Sequence, residues 1–232
     1  MGKKNKKNLR SMCSKVERRF NIPDIMALEN RAEGVEDDGI REVKGHAAVF
    51  GQTTSIGDWF DETIARGAFD GCDLTDVPLL TNHDSDKVPL ARSRRNNGSS
   101  TMTLSIDDQG LLIDAKLDTR NNPEAAALYS AISRGDVDGM SFCFVVAEDT
   151  DTWDWSDEDH PKRTINKISK VYEVSAVTFP AYEDTDISAR SDKEALDNAR
   201  QLLESKREEE RKAVETANEI EMLKIQNSIL GG

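Results

Sequence analysis

Between Asp24 and Pro180 the chain is cut into short apolar runs separated by Gly, Pro, Asp and Asn. Runs of a few residues rich in Val, Ile, Thr and Phe read as β-strands joined by turns. This punctuation confines the core to a mainly-β fold. Strands are expected over 25–28, 42–50, 58–63 and 139–147, and a long strand or strand pair over 165–179. Residues 100–106 and 111–117 alternate apolar and polar across Asp107-Asp108-Gln109-Gly110, the pattern of a hairpin. Residues 77–80 and 88–91 flank a loop containing His83, and 64–70 reads as a turn leading into a short helix.

Two stretches break the pattern. Asn122-Pro123-Glu124 opens a helix running to about residue 133, with Asn as N-cap, Pro in the first turn and Gly135 as the stop. Residues 191–228 contain no Gly or Pro and are rich in Ala, Glu, Lys, Arg and Leu, which reads as one long helix. Leu196, Ala199, Leu203, Ala213, Ala217 and Ile220 fall near a heptad seam that Lys206 and Glu210 interrupt, so a coiled coil stays an open alternative. Residues 148–162, acidic and carrying Trp153 and Trp155, read as an inserted loop. The organisation expected is a basic disordered arm over 1–22, a catalytic-type domain over 23–190 and a helical tail over 191–232. The fold class is mainly β with flanking helices (α+β).

Charge follows the same division. The first twenty residues carry eight Lys or Arg against one acid, and residues 191–232 carry seven against ten. Residues 21–190 therefore hold 16 bases and 33 acids of a chain whose net charge is −13. A basic arm on an acidic body suits contact with a polyanion or with the body itself, against the plainer alternative of a solvated terminus. Three cysteines without paired spacing argue for a reducing compartment and against a disulfide scaffold. No apolar stretch approaches a membrane span, and no apolar region follows the basic N-terminus as a secretory signal would require.

Three polar residues sit in or beside the apolar runs: His83 in Thr81-Asn82-His83-Asp84, Ser141 in Gly139-Met140-Ser141-Phe142-Cys143-Phe144, and Glu173 in Tyr172-Glu173-Val174-Ser175. A serine hydroxyl is a poor nucleophile until a neighbouring base accepts its proton. Histidine suits that task because its ordinary pKa is about 6.5. A carboxylate on the second ring nitrogen then fixes the tautomer. Glu173 lies in an apolar strand, where an acid is costly without a partner. Alternation places Ser141 and Cys143 on one strand face and Met140, Phe142 and Phe144 on the other. His46 and His160 are the other candidate bases. No Gly-x-Ser-x-Gly elbow is present, so an α/β-hydrolase is not expected.

With these residues in view, the chain resembles the prohead (capsid maturation) serine proteases of tailed bacteriophages, related in fold to the herpesvirus assemblin proteases. The likeness covers roughly residues 24–190. Gly45 to Gly51 is similar to a small-residue early strand, Ile64 to Phe69 to an "i-x-x-G-A-F" segment, and Leu79 to Asp84 to an "L-x-x-H-d" motif. Gly135 to Phe144 resembles "G-x-v-x-g-x-S-F-g-F", and Glu173 to Tyr182 resembles "E-V-S-x-V-x-f-P-A-y". Cys143 departs from the usual Gly, and the insertion before Arg163 widens the gap between Ser141 and Glu173. The resemblance implies a herpesvirus-protease-like β-barrel core, with Ser141 as nucleophile, His83 as base and Glu173 as third member. It implies no cofactor and no metal. It further implies that major capsid protein and scaffold segments are substrates, with self-cleavage, inside an immature capsid in the host cytoplasm. Neither membrane nor nucleic acid is required, and the tail offers a route to self-association.

Two rival readings remain at this level. Asn82 to Asp86 and Asp157 to His160 offer His and carboxylate groups to a metal, although no compact zinc spacing is present. Alternatively the chain is a non-enzymatic capsid assembly or scaffold factor, or a degenerate protease, in which the trio is incidental.

Overall fold

A computed structural model describes residues 17–21, 25–28, 37–178 and 193–230. Along the chain the strands are β1 (Glu17–Asn21), β2 (Met26–Leu28), β3 (Ile40–Val49), β4 (Thr53–Ile56), β5 (Phe60–Ile64), β6 (Pro78–Thr81) and β7 (Ala91–Arg92). There follow β8 (Met102–Ile106), β9 (Gly110–Asp118), helix α1 (Pro123–Arg134), β10 (Gly139–Val146), β11 (Asp151–Asp154), β12 (Lys162–Ile165), β13 (Ile168–Val177) and helix α2 (Lys193–Leu230). The mainly-β expectation holds. The strands fall into three sheets, ordered β1-β10-β13-β6-β7, β11-β12-β5-β4 and β2-β3-β9-β8. Among the described residues these sheets do not close into a barrel.

Local chemistry explains the elements that matter for the site. The hairpin β8–β9 turns through Asp107, whose carboxylate accepts from the backbone N–H groups of Gln109 and Gly110 at 2.8 and 2.9 Å. Gly110 cannot carry a side chain, since a Cβ there would lie 1.8 Å from the Ala48 carbonyl oxygen. The Asn122 side chain caps α1 by accepting from the backbone N–H groups of Glu124 and Ala125, and Gly135 ends it at φ +75°. Strand β10 is buried on both faces from Gly139 to Phe144. Phe142 and Phe144, two apart and so on one face, stack at 4.4 Å within the main core.

Three expectations need correction. Residues 148–162 are not merely a loop, because β11 pairs antiparallel with β12. That pairing aligns Thr152, Thr164, Thr63 and Thr53 across all four strands of the second sheet. β-Branched residues fit such a pleated surface, which is why this acidic segment still adds a strand. Glu17–Asn21, expected within a disordered arm, forms β1 against the outer edge of β10. An edge strand offers unpaired backbone groups, and a short segment satisfies them. Residues 65–72 form successive turns, with Ala68, Asp70 and Cys72 donating three residues back, rather than a helix. The long helix meets the body near its start. Ala199 and Leu203, 4% and 3% exposed, pack with Ile56 and Phe60 in a second apolar cluster flanked by Trp59, Trp153 and Trp155. Residues 204–226 are largely exposed.

Candidate active site

Three neighbouring strands carry the polar trio. β10 holds Ser141 and β13 holds Glu173. His83 lies just past the end of β6, which runs parallel to β13. In the β10–β13 register, Ser141 stands opposite Ser175 and Cys143 opposite Glu173. Residues two apart on a strand share a face, so Glu173 and Ser175 point the same way as Ser141. Sheet registry thus converges residues that lie 90 positions apart in the chain.

The contacts form one chain of hydrogen bonds. Ser141 Oγ lies 2.7 Å from His83 Nε2. His83 Nδ1 lies 2.5 Å from Glu173 Oε1. The other carboxylate oxygen, Oε2, accepts from the Ser175 hydroxyl at 2.6 Å. An imidazole protonated on Nδ1 donates to Glu173 and leaves Nε2 as acceptor for the serine proton. Ser141 is 0% exposed and the His83 side chain 7% exposed. In such surroundings hydrogen bonds are electrostatically stronger than in water.

The backbone that presents His83 is unusual. Asn82 and His83 are both in the left-handed region, at φ 51° and 58°. Such conformations in non-glycine residues cost roughly 1–3 kcal/mol each and persist only where surrounding contacts impose them. Here the Asn82 N–H donates to the Ala176 carbonyl at 3.0 Å. The Asn82 side chain clamps Thr178, accepting from its backbone N–H at 3.0 Å and donating to its hydroxyl at 3.1 Å. The His83 N–H donates to Ser175 Oγ at 3.2 Å.

The alternative bases are engaged elsewhere. His46 bonds both carboxylate oxygens of Asp107, at 3.0 and 3.2 Å. That contact, with the Gly110 and Gln109 N–H groups, holds the Asp107 carboxyl down at about 2. His160 lies 3.0 Å from Asp61 Oδ1, a contact that raises its pKa. In the acidic segment suggested as metal-binding, the Asp157 carboxylate accepts from the N–H groups of Asp159 and His160. Burial, then the neighbouring Asp73, pushes the Cys72 thiol up to about 11, so it is no competing nucleophile at neutral pH.

Sequence reasoning missed Asn82, Ser175 and Thr178 as parts of the site. The signal for Ser175 was its place two residues beyond Glu173 on one strand. Asn82 and Thr178 meet through tertiary pairing over 96 positions, which no local pattern shows.

The model of the family described as caudovirus prohead serine protease matches residues 26–199. The Prohead protease of Enterobacteria phage HK97 is 30% identical over 162 residues, covering 68% of this chain and 64% of that protein. The chain therefore spans about 64% of the length of this relative. No solved structure matches. Matched over most of its length, the chain belongs to the caudovirus prohead serine protease family.

Proposed function

We propose that the protein is a serine endopeptidase of capsid maturation, with Ser141 as nucleophile, His83 as general base and Glu173 as the group that orients His83. The observation that carries this reading is the unbroken relay from Ser141 Oγ to His83 at 2.7 Å and from His83 to Glu173 at 2.5 Å. In the reaction, His83 Nε2 takes the hydroxyl proton as Oγ bonds to the peptide carbonyl carbon. The imidazolium returns that proton to the departing amine as the C–N bond breaks. Water then repeats the sequence on the acyl-enzyme, and Glu173 stabilises the charged imidazole at each stage.

Family membership supports the setting: an immature phage capsid, with capsid protein and scaffold segments as substrates and the enzyme itself as a further one. Co-expression with the capsid protein tests it. Wild-type chain yields discrete capsid and self-cleavage products by mass, and Ser141→Ala yields neither. Identical products from Ser141→Ala would show that Ser141 is not the nucleophile, and no products from the wild-type chain would favour an assembly factor without protease activity.

The helix supports a second element of the proposal. Val214, Ile220, Met222, Leu223 and Ile225 are exposed on its outer length. This stretch recruits the enzyme by pairing with a helix of the scaffold segment. Because Ala199 and Leu203 belong to the body and Arg207 donates to the Glu158 carbonyl, the informative deletion is 208–232. It lowers incorporation into shells and leaves peptide cleavage intact, whereas normal incorporation would end the idea.

A further inference from the structure

We infer that Ser175 is a positioning residue of this site, a fourth member that locks His83 and Glu173 to one another. The inference rests on the reading of Ser141 as nucleophile and extends it to a residue that does not itself touch substrate. One hydroxyl makes two contacts. It donates to Glu173 Oε2 at 2.6 Å and accepts from the backbone N–H of His83 at 3.2 Å. A hydroxyl is suited to this because it donates and accepts at once. Ser175 is 0% exposed, so both contacts are shielded from bulk water.

The placement follows from the sheet. Ser175 sits on the central strand of the three that carry the site, opposite Ser141 on β10 and beside Leu80 on β6. It therefore ties the left-handed His83 turn to the strand that supplies the carboxylate. The imidazole hangs from a backbone whose N–H Ser175 holds, and its Nδ1 meets a carboxylate whose other oxygen Ser175 holds. Alanine removes both restraints while keeping the strand and nearly the same volume. Glu173 can then rotate, and the imidazole loses its fixed aim at Ser141. Small misplacements of a catalytic group are costly in rate.

The test uses the full chain and a fluorophosphonate that labels an activated serine. The maximum labelling rate kinact and the half-saturating concentration KI are measured separately, with thermal unfolding in parallel. Ser175→Ala should lower kinact by about 10- to 100-fold with KI nearly unchanged. Ser175→Thr, which retains the hydroxyl, should recover most of the loss. In a Glu173→Gln background, Ser175→Ala should cost several-fold less than in wild type, because one of its two partners is already altered. A serine that merely fills space would shift unfolding alone, leave kinact per folded molecule at the wild-type value and show no coupling to Glu173. Any of those three results overturns the inference. If the threonine variant fails to fold, the coupling with Glu173→Gln decides alone. Ser141→Ala is run alongside. Labelling that survives in Ser141→Ala would sink the nucleophile reading. Loss there with full kinact in Ser175→Ala would sink only the positioning role.

Discussion

Among the described residues, two buried polar clusters are built on opposite principles. At the candidate active site the serine, histidine, carboxylate and second serine form a line, each group bonded to the next. In the second cluster one cation is surrounded. Arg163, 2% exposed, bonds Glu17 Oε1 and Oε2 at 2.9 and 2.5 Å, Glu62 at 2.8 Å and Asp151 at 2.9 Å. Its guanidinium also lies 5.8 Å from the Trp153 ring centroid. Burial opposes the charge most strongly, but Glu17 and then Glu62 outweigh it, so the pKa of Arg163 is raised. A line can pass a proton. A surrounded cation cannot, and instead ties β1, β5, β11 and β12 together. Burial of polar groups is thus no mark of chemistry by itself; the order of donors and acceptors is what differs.

The largest expected effect separates the two outright. Ser141→Ala should abolish peptide cleavage, a loss on the order of 10⁶ in kcat, with the unfolding temperature unchanged. Glu173→Gln keeps the shape but breaks the line, and should cost about a hundredfold less than Ser141→Ala. Arg163→Met reverses the pattern. It strands three carboxylates and should lower stability by about 3–5 kcal/mol, read by denaturant unfolding, while labelling of Ser141 per folded molecule persists. Loss of labelling in a folded Arg163→Met would show that the clusters are not independent.

β1 reaches both regions, since Glu17 meets Arg163 at one end and Phe20 pairs with Ser141 along the edge of β10. Glu17→Ala should therefore cost less than Arg163→Met, about 1.5–3 kcal/mol, because Arg163 keeps Glu62 and Asp151. The smallest effect belongs to the partly exposed pair His160–Asp61. His160 is raised and Asp61, bonded first by Ser55 and also by His160, is lowered. A raised histidine adds stability that is present below its unfolded value of about 6.5 and fades as pH rises through the folded value. A lowered carboxylate adds stability present above about 3.9 and lost on acidification. His160→Gln should then lower the unfolding temperature more at pH 5.5 than at pH 8, by the equivalent of under about 1 kcal/mol. An equal shift at both values would contradict the pairing.

The two clusters also differ in how readable they were. Ser141 and Glu173 stand out because a polar residue inside an apolar run needs a partner, and the flanking residues resemble a known pattern. Nothing in the sequence separates Glu17, Glu62, Asp151 and Arg163 from dozens of other charges. Their meeting depends on β12 lying parallel to β5, on the added strand β11 and on the edge strand β1. The hairpin and α1 were legible from turn and cap residues. The three-sheet arrangement was not, because strand order is set by pairing across long separations. Ser175 lies between these cases, visible in the strand beside Glu173 but given meaning only by the backbone of His83.

Peptide mapping by mass after treatment with a fluorophosphonate tests the central claim most directly. The relay predicts a single adduct on Ser141 in the wild-type protein, strongly suppressed in His83→Ala although that variant remains folded. An adduct elsewhere, or one on Ser141 that forms equally fast without His83, would contradict it.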